Sequence, residues 1–267
     1  MVSPRTIAKT DSEESSLRLA VLIDADNAQA AVIEGLLAEV ARFGEATVKR
    51  IYGDFTSPQS GSWKNVLQQH AIKPVQQFAY TTGKNATDSA MIIDAMDLLY
   101  TRKFDGFCLV TSDSDFTGLA MRIREEGLTV LGFGEQKTPA AFKNACHKFI
   151  FTEVLRPSRA KKPSVVAQKV ENTKTSETKK PRAPRKSKPN FPKQFMLDAL
   201  EQSSDDVGWA MLSTFGSYLN KLQPDFDPRN FGFSKLSNLV SDNSDLFITE
   251  ERTQPGTNNK QIYVRAR

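Results

Sequence analysis

Cysteine and histidine are scarce in this chain. Its two cysteines, Cys108 and Cys146, sit in apolar surroundings with no zinc-ligand spacing around them. They are expected to be buried thiols in a reducing, cytoplasmic compartment. Neither of the two histidines, His70 and His147, lies near a serine or cysteine nucleophile signature, which argues against triad hydrolysis. No apolar run approaches the roughly 18 residues that span a bilayer, so no membrane partner is expected. Residues 1–16 are polar and include Asp11, Glu13 and Glu14, unlike the basic start and apolar stretch of a secretory signal.

Charge is plentiful and unevenly placed. The net charge is +5, but residues 1–155 hold 16 basic against 19 acidic side chains. Residues 156–193 hold 13 basic against two acidic, and the remainder holds seven against ten. The positive excess therefore lives in a single segment.

Residues 17–155 read as alternating strands and helices. Strands are expected at 19–23, 47–52, 73–78, 107–111 and 129–134; the first is apolar throughout, as in a strand buried on both faces. Helical spacing of apolar residues predicts helices ending near Gly44, at 62–70, from 86 to about 101, at 116–126 and at 139–145. Such alternation indicates a parallel sheet covered on both sides. From 156 to 192, Lys, Arg, Pro, Ser and Thr dominate, the composition of a disordered basic linker. Residues 193–267 regain periodicity. Helices at 195–200, 211–222 and 234–240, then strands at 246–249 and 261–264 around a Pro-Gly-Thr-Asn turn, make a small winged-helix layout.

Aspartates stand where the strands run out: Asp24 and Asp26 after the first, Asp113 and Asp115 after the fourth, with Asp88 opening a long apolar helix. Carboxylates at the carboxyl ends of parallel strands converge on one crevice of an α/β sheet. At an effective dielectric near 20, two of them ~4 Å apart repel by roughly 4 kcal/mol. A cluster therefore calls for a hard divalent cation, Mg²⁺ or Mn²⁺. Taken singly, Asp26, Asn27, Asp88 and Asp115 each have an alternative role as helix caps. Asp24 and Asp113 come straight off apolar strands, where capping is a weaker reason to bury a carboxylate.

The segments Leu-Ile-Asp-Ala-Asp-Asn (22–27), Tyr-Gly-Asp (52–54), Lys-Asn-Ala-Thr-Asp with the helix to Asp94 (84–94) and Thr-Ser-Asp-Ser-Asp-Phe (111–116) resemble the NYN domain. More narrowly they resemble its bacterial LabA-like branch, within the PIN-like nuclease superfamily. That resemblance implies a PIN-like α/β/α sandwich whose acidic crevice binds Mg²⁺ or Mn²⁺ and hydrolyses RNA. It makes Asp24, Asp88, Asp113 and Asp115 the metal-binding and catalytic carboxylates. Asn27 matches the polar helper beside the first Asp; Asp26, Asp54, Asp94 and Ser112 rank as secondary. Asp94 lies six positions after Asp88, about 120° around the helix, and is expected to hold a loop or a basic side chain instead of the same ion. Lys84, Asn85, Thr111 and Ser112 lie in loops from which phosphate oxygens could be reached, the alternative being turn chemistry.

Over residues 193–265 the chain resembles the OST-HTH, or LOTUS, domain, most specifically in Pro-Asp-Phe-Asp-Pro-Arg-Asn-Phe-Gly-Phe-Ser-Lys-Leu (224–236). This similarity implies RNA binding or docking of a protein partner, with Arg229, Lys235 and Lys260 as exposed candidates for phosphate contact. The basic segment suits sequence-independent polyanion capture. Together these features predict a nuclease domain (17–155), a linker (156–192) and a winged-helix domain (193–267), acting as a metal-dependent endoribonuclease on cellular RNA. One competing expectation is a non-catalytic RNA-binding or regulatory adaptor. Another is a phosphatase of the haloacid-dehalogenase type, disfavoured because Ala28 stands where that chemistry usually has Thr or Val. RNA target and oligomeric state are not legible.

Overall fold

The computed structural model describes residues 16–56, 61–78, 86–156, 191–253 and 260–267. Lys84, Asn85, nearly all of the basic segment and the expected Pro-Gly-Thr-Asn turn lie outside them. The chain divides into two compact units.

In the first, β1 (Leu17–Asp24) leads through a 3-10 turn (Ala30–Val32) into α1 (Ile33–Val40). Next come β2 (Gly44–Gly53), α2 (Gly61–Gln69), β3 (Lys73–Gln76), α3 (Ala86–Tyr100) and β4 (Gly106–Val110). A 3-10 turn (Ser114–Phe116) opens α4 (Thr117–Glu125), followed by β5 (Thr129–Gly134), α5 (Ala140–Ala145) and β6 (Lys148–Phe151). Among the described residues the strands form one six-stranded sheet in the order β3-β2-β1-β4-β5-β6, parallel throughout.

The alternation of strand side chains builds two cores. Ala20 and Leu22 of β1, with Phe107 and Leu109 of β4, pack with Met91, Ala95 and Leu99 of α3 and with α4. Leu19, Val21 and Ile23, with Cys108 and Val110, face α1 and Trp63 of α2 instead. Both faces of β1 and β4 are therefore covered, which explains their unbroken apolar runs. This is the expected three-layer α/β sandwich.

β6 is not among the expected strands. Its four residues follow α5 within three positions, with no glycine or proline to mark the change. Pairing with β5 (Phe133 opposite Ile150) creates it, a long-range contact that local periodicity does not register.

Beyond residue 191 come α6 (Lys193–Ser203), β7 (Trp209–Met211), α7 (Leu212–Leu222), a 3-10 turn (Pro228–Phe231), α8 (Leu236–Asp242), β8 (Phe247–Thr253) and β9 (Lys260–Ala266), which belong to the second unit except for residues 220–222 of α7. The sheet of this unit runs β7-β9-β8, antiparallel. β7 too goes unread in the sequence: Trp209–Met211 passes without a break into α7. Gly232 takes φ +91°, a left-handed conformation that glycine adopts without strain, and ends the 3-10 turn. Among the described residues, no helix is long and apolar enough to cross a membrane.

Candidate metal centre

β1 and β4 are neighbours, yet the chain leaves them toward opposite edges: β2 and β3 lie beyond β1, β5 and β6 beyond β4. Ligand crevices of open α/β sheets form outside the strand carboxyl ends at such a reversal. Asp24 is the last residue of β1, and residues 111–113 follow directly on β4.

Asp24 is fully buried. By strand alternation it falls on the face of Ala20 and Leu22, the face that α3 covers. Its Oδ1 accepts from the Asp26 backbone N–H at 2.9 Å. Its Oδ2 accepts from Asn27 Nδ2 at 2.7 Å and from the Thr111 hydroxyl at 2.9 Å. Burial pushes the carboxyl above its ordinary range, and these three donors pull it back. The Thr111 oxygen also accepts from the Asp113 backbone N–H at 3.1 Å, tying the two strand ends together. Thr111 is 1% exposed, so its hydroxyl positions Asp24; phosphate contact, the role its loop suggested, is not where its donor is spent.

Asp113 adopts an extended backbone and accepts from the Asp115 N–H at 2.9 Å, capping the 3-10 turn before α4. The cap is thus Asp113, with Asp115 exposed two residues further on. Asp88 sits in the first turn of α3. One ligand oxygen from each of Asp88, Asp113 and Asp115 lies within 4.8 Å of the others. Burial raises the Asp88 carboxyl to about 6, and the charges of Asp24, Asp113, Asp115 and Asp26 add to the effect in that order.

Asp94, on the same helix, behaves differently. It bonds to Arg50 and to the Tyr52 hydroxyl, both on β2, and leaves the trio. Among the described residues no lysine or arginine pairs with Asp24, Asp88 or Asp113. The contrast matters, because at 4.8 Å like charges repel by about 3 kcal/mol at an effective dielectric near 20. The donors are all carboxylate oxygens, which fits a hard divalent cation. Replacing Asp94 by Ala strands the Arg50 charge and the buried Tyr52 hydroxyl. The expected cost is about 1–3 kcal/mol, measured by denaturant unfolding, with Asp94→Asn milder because it still accepts from Tyr52.

The other sequence candidates are placed as follows. Asp54 accepts from Thr56 N–H and hydroxyl and from Gln76 Nε2, a turn at the end of β2 outside the trio. Asp26 is exposed, and the Ser112 hydroxyl oxygen accepts from the Glu135 N–H at 2.9 Å. In the second unit Arg229 is held by both oxygens of Asp227. Lys235 is exposed at the start of α8, and Lys260 pairs with Glu251 at 3.2 Å. Arg50, Tyr52 and the positioning role of Thr111 were missed; only the Tyr-Gly-Asp motif hinted at the second.

β5 presses on this site through a glycine. A Cβ on Gly134 would lie 2.5 Å from the Thr111 carbonyl oxygen and 2.7 Å from Thr138 Oγ1. Gly134→Ala is therefore expected to displace segment 111–113, costing about 1–3 kcal/mol in melting experiments.

Comparison with known proteins assigns the two units. The NYN domain model matches residues 18–155, and the OST-HTH/LOTUS domain model matches residues 187–258. No curated protein matches. A solution structure of an uncharacterized protein from Nitrosomonas europaea is 52% identical over 36% of this chain and 92% of its own, with a TM-score of 0.29. A crystal structure of a protein of unknown function from Vibrio parahaemolyticus is 16% identical over 53% of this chain and 96% of its own, with a TM-score of 0.45. A solution structure from Chromobacterium violaceum is 33% identical over 30% and 85%, with a TM-score of 0.24.

Proposed function

Because the chain belongs to the NYN domain family, part of the PIN-like nuclease superfamily, and also carries an OST-HTH/LOTUS domain, we propose that it is a ribonuclease dependent on Mg²⁺ or Mn²⁺. It hydrolyses RNA phosphodiester bonds in the first unit and recognises RNA through the second. The observation that carries this reading is the approach of Asp88, Asp113 and Asp115 oxygens to within 4.8 Å of one another, with no lysine or arginine among the described residues paired to Asp88 or Asp113.

In this reading those three side chains hold the ion, and Asp24 belongs to the same set. Its charge is the largest neighbouring contribution to the raised Asp88 carboxyl. When bound there, such an ion would supply an activated water and offset charge gathering on the phosphate oxygens. The protein's own part is positioning. Asn27, Thr111 and the Asp26 N–H fix Asp24, and Asp113 is fixed by the turn it caps. Arg50 and Tyr52 anchor α3 through Asp94, six residues along from Asp88. Residues 17–155, 156–192 and 193–267 act as nuclease domain, basic tether and recognition domain. The tether, with 13 basic against two acidic residues over 156–193, neutralises phosphates without sequence preference. Tethering also raises the effective concentration of one domain's RNA near the other. The free buried thiols of Cys108 and Cys146 fit a cytoplasmic setting.

The test is cleavage of mixed cellular RNA by purified protein. Cleavage is expected with Mg²⁺ or Mn²⁺, lost in EDTA and restored by excess metal. RNA binding without cleavage under every metal condition would leave an adaptor in place of an enzyme.

A further inference from the structure

The sheet of the C-terminal unit has an outward face to which nothing above assigns a role. Antiparallel pairing sets Trp209 opposite Arg265, Met211 opposite Tyr263 and Arg252 opposite Gln261. Directly opposed residues share a face. These side chains therefore lie on one side of the sheet, while Ala210, Phe247 and Val264 are buried on the other.

On the outward side arginines and rings alternate. The Arg265 guanidinium lies 4.9 Å from the centroid of the Trp209 ring. That of Arg252 lies 4.7 Å from the same ring and 4.5 Å from the ring of Tyr263. All four residues are partly exposed. An arginine laid over an aromatic face keeps its planar fork of N–H donors directed sideways, available to phosphate. The stacked guanidinium planes, and the ring faces they leave uncovered, offer flat surface of the kind on which nucleobases stack.

We propose that this face binds unpaired RNA, bases stacking on Trp209 and Tyr263 and flanking phosphates meeting Arg252 and Arg265. The proposal rests on the reading of the chain as an RNA enzyme and names the form of RNA its C-terminal unit takes. A duplex keeps its base faces inside its own stack, so a surface of rings selects single strands. Charge favours the same occupant. Arg252 shares the face with Glu250, 3.2 Å away, and lies near the charge of Asp205, while Arg265 makes no ion pair among the described residues. A stretch with 13 basic residues against two acidic ends at residue 193, where this unit begins.

The experiment uses the full chain in EDTA, so that binding is read without cleavage. Oligouridylate and its duplex with oligoadenylate are titrated while tryptophan fluorescence is followed. The protein has two tryptophans, and Trp63 is 5% exposed in the core of the other unit. The basic stretch binds either form of RNA, so quenching of Trp209, and not retention, is the readout. Single-stranded RNA is expected to quench and the duplex to leave the signal unchanged. Quenching should vanish in Trp209→Phe, which keeps a ring and stays near wild-type affinity. Trp209→Ala and, independently, Arg252→Gln should each weaken single-strand binding about tenfold, with melting curves showing both variants folded at the assay temperature. Absence of quenching, equal quenching by the duplex, or wild-type affinity in both variants would overturn the proposal and leave a protein partner for this face. Those results would not touch Mg²⁺-dependent cleavage, whose loss would strike the nuclease reading alone.

Discussion

Asp113→Asn is expected to abolish RNA cleavage while leaving the fold intact. The side chain has two separable duties. As a cap, it accepts from the Asp115 N–H at 2.9 Å, and the Asn carbonyl oxygen serves that role as well as a carboxylate does. As a charge, it supplies one of three carboxylates whose oxygens converge within 4.8 Å, and asparagine keeps an oxygen but brings no charge. Metal-derived stabilisation of transition-state charge is worth several kcal/mol. Each 1.36 kcal/mol is a factor of ten in rate, so a loss of at least about a hundredfold is expected. The measurement is initial rate on a labelled RNA with Mg²⁺ and with Mn²⁺, beside a melting curve in EDTA. Wild-type melting with cleavage gone assigns Asp113 to the chemistry. Equal products from both proteins would trace the activity to a contaminant. Asp94→Asn is the matched control: same helix as Asp88 and same charge change, but at a carboxylate already neutralised by Arg50.

The sheet's centre was legible because burial on both faces leaves a strong local mark. β1 and β4 carry unbroken apolar runs, each followed within a few residues by aspartate, and that is enough to place Asp24 and Asp113 at one crevice. Asp88 was legible for a different reason, as an acid in the first turn of a long apolar helix. What stayed hidden depends on pairing across the chain. β6 exists through β5, and β7 through β9. Arg50 and Tyr52 alternate on β2, and nothing local says that Asp94, some 40 residues away, will claim them both. The same holds for the aromatic face. Charge alone points to Arg229, Lys235 and Lys260. Arg229 proves to be engaged by Asp227. Trp209, Arg252, Tyr263 and Arg265 come from three strands and meet only when the register is known. Thr111 shows the limit in a single residue: its motif marks it as part of the site, but only the distance to Asp24 says that it holds an acid.

Asp88→Asn should raise the stability of the metal-free protein and erase its response to metal. The Asp88 carboxyl is pushed from 3.8 to about 6, first by burial and then by the four neighbouring aspartates. A carboxyl raised in the folded state binds a proton there that the unfolded chain releases. Its contribution to stability is thus fully present below about 4 and is lost as pH rises through about 6. In EDTA this group should therefore make the wild-type first unit melt lower at pH 7 than at pH 5. That slope is opposite to that of a salt-bridged carboxylate. Saturating Mg²⁺ replaces the missing proton as the counter-charge, so it should raise the pH 7 melting temperature and flatten the slope between pH 5 and 7. In Asp88→Asn the charge is absent at every pH. Its melting temperature in EDTA at pH 7 is expected to exceed that of wild type by about 3 °C, on a scale of 2–4 °C per kcal/mol for a domain of this size. Added Mg²⁺ should then move it little. Calorimetry at the two pH values, with and without metal, measures all four states. A wild-type protein whose melting is indifferent to Mg²⁺ at pH 7 would mean that the crowded carboxylates are relieved by something other than a cation.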